Sequence, residues 1–251
     1  MPSANMPTSS ILITGAGSGI GRATARLLLA QGWNVVLAGR TEQTLQEAAQ
    51  GHGNALVVQA DVSSAEEVRC LFAKATEHFG RLDTLFNNAG TFGPAVSIDE
   101  LSAEDWEKVC QVNLTGAMNC AREAFKHMKL HGGGRIINNG SISAQVPRPR
   151  SVAYAVTKHA ITGLTKSIEL DGRPFGICAS QIDIGNTASD IMDELGTSQG
   201  ALQADGSRKV EPTFDLQQAA QAVAFLANSP LTVSVNQLTI TAAGMPYIGR
   251  G

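Results

Sequence analysis

Aromatic side chains that carry a polar handle are scarce. The chain has two tyrosines, Tyr154 and Tyr247, and two tryptophans in 251 residues. Each tyrosine therefore invites a specific explanation. Basic clusters are missing too: no run of Lys or Arg exceeds two residues, and the net charge is −3. A nucleic-acid surface, which needs clustered cations to neutralise phosphates, is excluded. No apolar run approaches the length that spans a bilayer, so no membrane partner is expected. The first ten residues are polar and lack the apolar stretch of a secretory signal. Cysteine is sparse: Cys70, Cys110, Cys120 and Cys178 are far apart and form no C-x-x-C pair. A disulfide framework is not expected, and a reducing, cytoplasmic setting fits.

What the chain does have is glycine, 26 residues of it, and an apolar fraction of 43% against 16% charged residues. That balance belongs to a folded chain with a sizeable core. Short β-rich runs at 10–14, 34–38, 55–59, 84–86, 135–139, 177–182 and 237–240 alternate with helical periods at 21–31, 41–50, 63–79, 103–128, 152–170 and 216–227. Alternation of this kind predicts an α/β fold: one doubly wound domain over 1–251, a parallel sheet of about seven strands and helices on both faces. Runs such as Ile11-Leu12-Ile13 and Val35-Val36-Leu37 suit strands buried on both sides. Residues 1–9 are expected to be flexible. Residues 186–213, rich in Ser, Asp, Gln and Gly, read as a surface loop or a substrate lid.

The first strand runs into Gly15-Ala16-Gly17-Ser18-Gly19-Ile20-Gly21, after which a helix begins. Gly15 allows the tight turn, Gly19 lets a backbone come close to a pyrophosphate, and Gly21 lets the helix pack closely. The helix N-terminus adds unpaired N–H groups and a partial positive charge. The spacing is G-x-x-x-G-x-G rather than G-x-G-x-x-G. Between a strand and a helix it reads as a dinucleotide cradle. An NAD-preferring site places an acid about 20 residues further on, for the ribose 2′-hydroxyl. Here the second strand ends in Ala38-Gly39-Arg40-Thr41. No acid repels a 2′-phosphate, and Arg40 offers a planar fork for one. Thr41 is placed to cap the next helix and to donate a hydrogen bond. NADP(H) is thus expected in preference to NAD(H), against the plainer reading of Arg40 as a solvated surface residue.

Tyr154 and Lys158 stand four residues apart on a helical segment and share a face. A phenol with a pKa of about 10 is a poor base at neutral pH, and a nearby ammonium lowers that value. Ser141 follows the strand 135–139, where a doubly wound sheet binds its ligands, and is within reach of the same substrate oxygen.

Taken in order, Thr14-Gly15 through Gly21, Asp61-Val62, Asn87-Asn88-Ala89-Gly90, Asn113, Ser141 and Tyr154-Ala155-Val156-Thr157-Lys158 resemble the short-chain dehydrogenase/reductases, over about residues 10–240. The resemblance implies a Rossmann-type domain and an NADP(H)-dependent oxidoreductase that interconverts ketones and secondary alcohols. Tyr154 would be the general acid/base and Ser141 would orient and polarise the substrate oxygen. Lys158 would lower the Tyr154 pKa and hold the nicotinamide ribose, and Asn113 would hold a water linking Lys158 to solvent. Asp61 and Val62 would contact the adenine, and Asn88, Ala89 and Gly90 would shape the strand end beneath the cofactor. Gly15, Ser18, Gly19, Ile20, Gly21, Arg40, Thr41, Gly185 and Thr187 complete the expected cofactor contacts. A homo-oligomer, dimer or tetramer, is implied through the helices near 103–128 and 152–170.

Two departures from the family pattern stand out. Ile184-Gly185 replaces a common Pro-Gly, which predicts a less rigid loop there. Ala242-Ala243-Gly244 replaces a common Asp-Gly-Gly and bears on a local turn or subunit contact. His127 and His131 have metal-compatible spacing but no third ligand, so an exposed helix end is expected and no metal. Arg148 and Arg150 fall between Ser141 and Tyr154. They read as a solvated or interface loop rather than as a grip on an acidic substrate. Ser143 is a rival to Ser141, and Tyr247 is expected to make a C-terminal contact. The competing functions are a non-catalytic NADP(H)-binding regulator and an isomerase or dehydratase with bound cofactor.

Overall fold

A computed structural model of the chain describes residues 8–187 and 200–248. Its strands are β1 (Ser10–Thr14), β2 (Asn34–Gly39), β3 (Ala55–Gln59), β4 (Thr84–Asn87), β5 (Gly134–Asn139) and β6 (Ile177–Ile184), then the short pair β7 (Ala201–Leu202) and β8 (Arg208–Lys209), and β9 (Gln237–Ile240). The helices are α1 (Gly19–Ala30), α2 (Glu42–Ala49), α3 (Ala65–Phe79), α4 (Ala103–Cys110), α5 (Ala117–Leu130), α6 (Val152–Gly172) and α7 (Leu216–Asn228). Side-chain caps begin several of them. The Ser64 side chain accepts from Glu67 N and starts α3; Ser102 accepts from Asp105 N and starts α4.

Seven strands form one parallel sheet in the order β3-β2-β1-β4-β5-β6-β9, the doubly wound architecture expected from the alternation. Because side chains alternate along a strand, the apolar runs feed two cores. Ile11, Ile13, Val35 and Leu37 face α1, α2 and α7, where Leu28, Leu45 and Val223 are buried. Leu12, Val36, Val58 and Leu85 face α3, α5 and α6, against Leu71, Ala124 and Ile168.

Three sequence expectations change. The segment read as one helix over 103–128 is two helices joined by a π-helical stretch, Gln111–Gly116. The apolar period runs through the join, so the pattern alone does not reveal it. The segment 186–213 is not all irregular: β7 and β8 pair antiparallel within it, while 188–199 lie outside the described residues, as do residues 1–7 of the expected flexible start. The loop expected to loosen where Ile184 replaces proline is instead strand. Ile184 pairs with Ile240, and Gly185 N donates to Ile240 O at 2.8 Å.

Candidate active site

The carboxyl ends of β1, β4, β5 and β6 meet along one cleft. The turn after β1 forms its floor. Gly15 has φ +63°, a region that L side chains rarely adopt, and a Cβ on Gly21 would lie 2.2 Å from Gly15 O. The close approach made by Gly21 is thus to the turn itself. Asn88 ties the strand ends together. Its N–H donates to Thr14 Oγ1, its Nδ2 donates to Thr14 O at 2.9 Å, and its Oδ1 accepts from Asn139 Nδ2 at 3.0 Å.

One end of the cleft is lined by Gly15, Ser18, Arg40, Thr41, Asp61, Val62, Ala89 and Gly90. Arg40 and Thr41 are exposed there. Thr41 holds the N-cap position of α2, but its side chain makes no capping bond, contrary to one expected role. The Asp61 carboxylate is partly committed: Oδ1 accepts from Ser63 N and from Ser63 Oγ.

The other end is lined by Gly19, Ile20, Asn88, Ser141, Tyr154, Lys158, Gly185 and Thr187, among others. Ser141 heads a short 3₁₀ turn, and its Oγ accepts from Ser143 N at 3.1 Å, so the rival serine supports Ser141 through its backbone. The Tyr154 ring packs on Phe92 with centroids 4.9 Å apart. Lys158 is buried, and its Nζ donates to Asn139 O at 2.7 Å and lies 5.5 Å from the Tyr154 ring centroid. Burial pushes the Lys158 pKa down to about 8, with Asp183 opposing. Burial likewise raises the Tyr154 phenol, a hydrogen bond with Ser141 lowers it, and the Asp183 charge raises it again. The lowering of Tyr154 anticipated from Lys158 is therefore not found in the protein alone: the shift is upward, burial is its largest cause, and the one lowering influence is Ser141.

Asn113 sits in the π-helical stretch, buried, with its carboxamide engaged. Oδ1 accepts from Thr91 N, and Nδ2 donates to Thr91 O and to Thr157 Oγ1. Its side chain braces the loop after β4, whose Gly90 lies beside both Asn113 Oδ1 and Lys158 Nζ.

Arg148 is not a solvated loop residue. Its side chain is 12% exposed and pairs at 2.6 Å with Glu211, 2% exposed, while Nη2 also donates to Asn186 Oδ1. The pair joins the loop after β5 to the segment before α7, and its partner lies 63 residues away, beyond any local pattern. Arg150 is exposed. The two histidines stack with ring centroids 4.0 Å apart, and His127 Nε2 accepts from Leu82 N. Among the described residues no group of three His, Cys, Asp or Glu is disposed to hold a metal, and no helix is long and apolar enough to cross a membrane. Tyr247 OH donates to Gln145 Oε1 at 2.7 Å. Asp183 was missed in the sequence, although a charge inside the apolar run Ile182-Asp183-Ile184 is a visible anomaly.

The cleft fits a dinucleotide. A Cβ on Gly19 would meet nothing within 4 Å, so the space before the first turn of α1 is open. The Ser18 side chain makes no capping bond, and no acid occupies that first turn.

A family model described as short chain dehydrogenase matches residues 9–200. A 3beta-hydroxysteroid dehydrogenase of Mediterraneibacter gnavus is 35% identical over 211 residues, which is 80% of this chain and 75% of that protein. The crystal structure of a 3-ketoacyl-(acyl-carrier-protein) reductase from Brucella melitensis complexed with NADH superposes with a TM-score of 0.84 at 26% identity, covering 94% of this chain and 97% of that one. ElxO with NADP bound gives a TM-score of 0.80 at 27% identity, over 93% and 97% of the two chains.

Proposed function

Because the chain belongs to the short-chain dehydrogenase family, we propose that it is an NADP(H)-dependent oxidoreductase interconverting a ketone and a secondary alcohol, with Tyr154 as general acid/base. The observation that carries the reading is the convergence of Ser141, Tyr154 and Lys158 on the cleft that the glycine turn opens into. The relatives include hydroxyl and carbonyl oxidoreductases, and solved neighbours hold either NADH or NADP.

Gly15, Ser18, Gly19, Ile20 and Gly21 would hold the pyrophosphate through backbone N–H groups. Arg40 and Thr41 would take a 2′-phosphate, Asp61 and Val62 the adenine, and Asn88, Ala89 and Gly90 the floor between. Tyr154, Lys158, Gly185 and Thr187 would hold the nicotinamide end. When bound, the nicotinamide ring supplies the hydride in reduction and accepts it in oxidation.

The chain's own residues manage the proton and the oxygen. With Ser143 N occupying a lone pair of Ser141 Oγ, the hydroxyl proton is available to the substrate oxygen. In reduction Tyr154 Oη gives its proton to that oxygen as negative charge develops on it. The raised phenol pKa keeps the donor protonated at neutral pH. In oxidation the phenolate takes the proton back. Lys158, anchored on Asn139 O, holds positive charge beside the ring. Asn113 would keep a water path to Lys158 through its place beside Gly90. Exposed Met118, Leu130, Val156 and Leu170 on α5 and α6 suit a homo-oligomer, which light scattering would measure.

NADPH absorbance over a carbonyl panel tests the function. Tyr154→Phe is expected to lower kcat by about 100-fold or more while leaving NADPH affinity within about twofold. Wild-type turnover in that variant, or tight NADPH binding by the native protein with no turnover of any carbonyl, would overturn the reading.

A further inference from the structure

Asp183 has no exposed surface, yet all four of its hydrogen-bond partners are neutral. Oδ1 accepts from Ser141 N at 2.9 Å and from Gln181 Nε2 at 2.7 Å. Oδ2 accepts from Gln237 Nε2 at 2.6 Å and from Gln145 Nε2 at 3.4 Å. Four donors aimed at two oxygens suit the ionised form, because a carboxyl proton would have to face one of them. The geometry is exacting: a Cβ on Gly140 would fall 2.1 Å from Asp183 Oδ1. The last link runs outward, since Gln145 accepts from Tyr247 OH.

A buried charge held this carefully costs stability, and four neutral bonds only partly offset the loss of water. Its position gives it a use. It grips the backbone of Ser141, the residue whose hydroxyl faces Tyr154. We propose that Asp183 is a positioning residue: its carboxylate fixes the Ser141 amide, and its negative charge, held against the backbone of that serine, favours the protonated phenol as the resting donor. This rests on the reading of Tyr154 as the acid/base. The other charged groups around Tyr154 are Lys158 on the same helix and Arg148 from the loop after β5, the latter paired with Glu211. The directions of perturbation agree with the geometry, since Asp183 raises both the Tyr154 phenol and the Lys158 ammonium.

Asp183→Asn separates charge from geometry. The asparagine Oδ1 can still accept from Ser141 N, and exposed Gln237 can turn its carboxamide to accept from the new Nδ2. The experiment follows kcat and KM for an accepted ketone against pH, with NADPH affinity as the check of folding. The expected result is unchanged NADPH affinity, KM within about twofold, and an alkaline limb of kcat moved to lower pH, because the phenol loses the charge that held its proton. An unmoved limb overturns the proposal. Asp183→Ala, which also releases the Ser141 amide, should lower kcat about tenfold or more below Asp183→Asn; equal rates in the two variants overturn the positioning role. Should Asp183→Asn not fold, Gln145→Glu at an exposed position sets a second carboxylate by Oδ2, and the limb must move to higher pH or the proposal fails. Tyr154→Phe with wild-type turnover would sink the acid/base reading itself. An inactive Tyr154→Phe beside an unmoved limb sinks only the role of Asp183.

Discussion

The two ends of the cleft are built on opposite terms. At the cradle end the groups that face a ligand are backbone atoms and exposed side chains, Arg40 and Thr41 among them. At the chemical end the charged groups are buried: Lys158 and Arg148 line the cleft, and Asp183 and Glu211 stand behind it, all largely away from water. The cradle keeps its charges, Arg40 among them, in water until a ligand arrives, so it stores little electrostatic cost in the folded chain. The chemical end holds charges out of water, where each is costly and each acts strongly on its neighbours. A cradle for a dinucleotide and the proton transfer proposed for Tyr154 would make opposite demands on solvent, and both ends lie along one edge of the sheet.

Substitutions test that contrast from either side. The largest effect on stability should come from the buried pair. Arg148→Met takes the opposite charge away from Glu211, which keeps its bonds from Asn186 Nδ2 and Gln203 Nε2, and should cost about 3 kcal/mol in urea unfolding. Adding Glu211→Gln should recover most of the loss, and additive losses would show the two residues to be uncoupled.

Lys158 should show the same cost as a pH dependence. Its folded pKa of about 8 lies below the ordinary 10.5, so the folded protein binds fewer protons between those values and stability rises with pH across that window. The penalty is full below about 8 and gone above 10.5. The unfolding free energy of the wild type minus that of Lys158→Met should therefore climb by up to about 3 kcal/mol over the window. A flat difference would mean that the ammonium is solvated.

Asn88 joins the two ends, through Thr14 on one side and Asn139 on the other. Asn88→Ala should cost about 1–3 kcal/mol and weaken both NADPH affinity and kcat. Damage to one alone would show that the ends are independent. Arg40→Ala should be the mildest. It leaves stability and kcat near the wild type but raises KM for NADPH about tenfold without changing KM for NADH. Equal changes with both cofactors would remove Arg40 from the 2′-phosphate.

The contrast also explains what could be read in advance. The glycine turn, the four-residue step from Tyr154 to Lys158 and the strand–helix alternation are local regularities, and the fold follows from them. The charges of the chemical end find partners far along the chain: Arg148 in Glu211, Asp183 in Ser141 and Gln237. No periodicity encodes such pairs, so Arg148 reads as a solvated loop residue and Asp183 goes unnoticed. The break between α4 and α5 was hidden for the reverse reason. A π-helical stretch keeps the apolar stripe while changing the backbone beneath it.

The sheet order has a consequence for synthesis on the ribosome. All eight residues of β6 are buried, and its outer edge pairs with β9, the last strand among the described residues. Until that strand emerges and docks, the nascent chain presents an apolar edge open to any passing strand. Non-local parallel pairing of this kind forms slowly. Yield at high expression should then depend more on chaperone supply and on an intact C-terminal strand than on the stability of the finished protein.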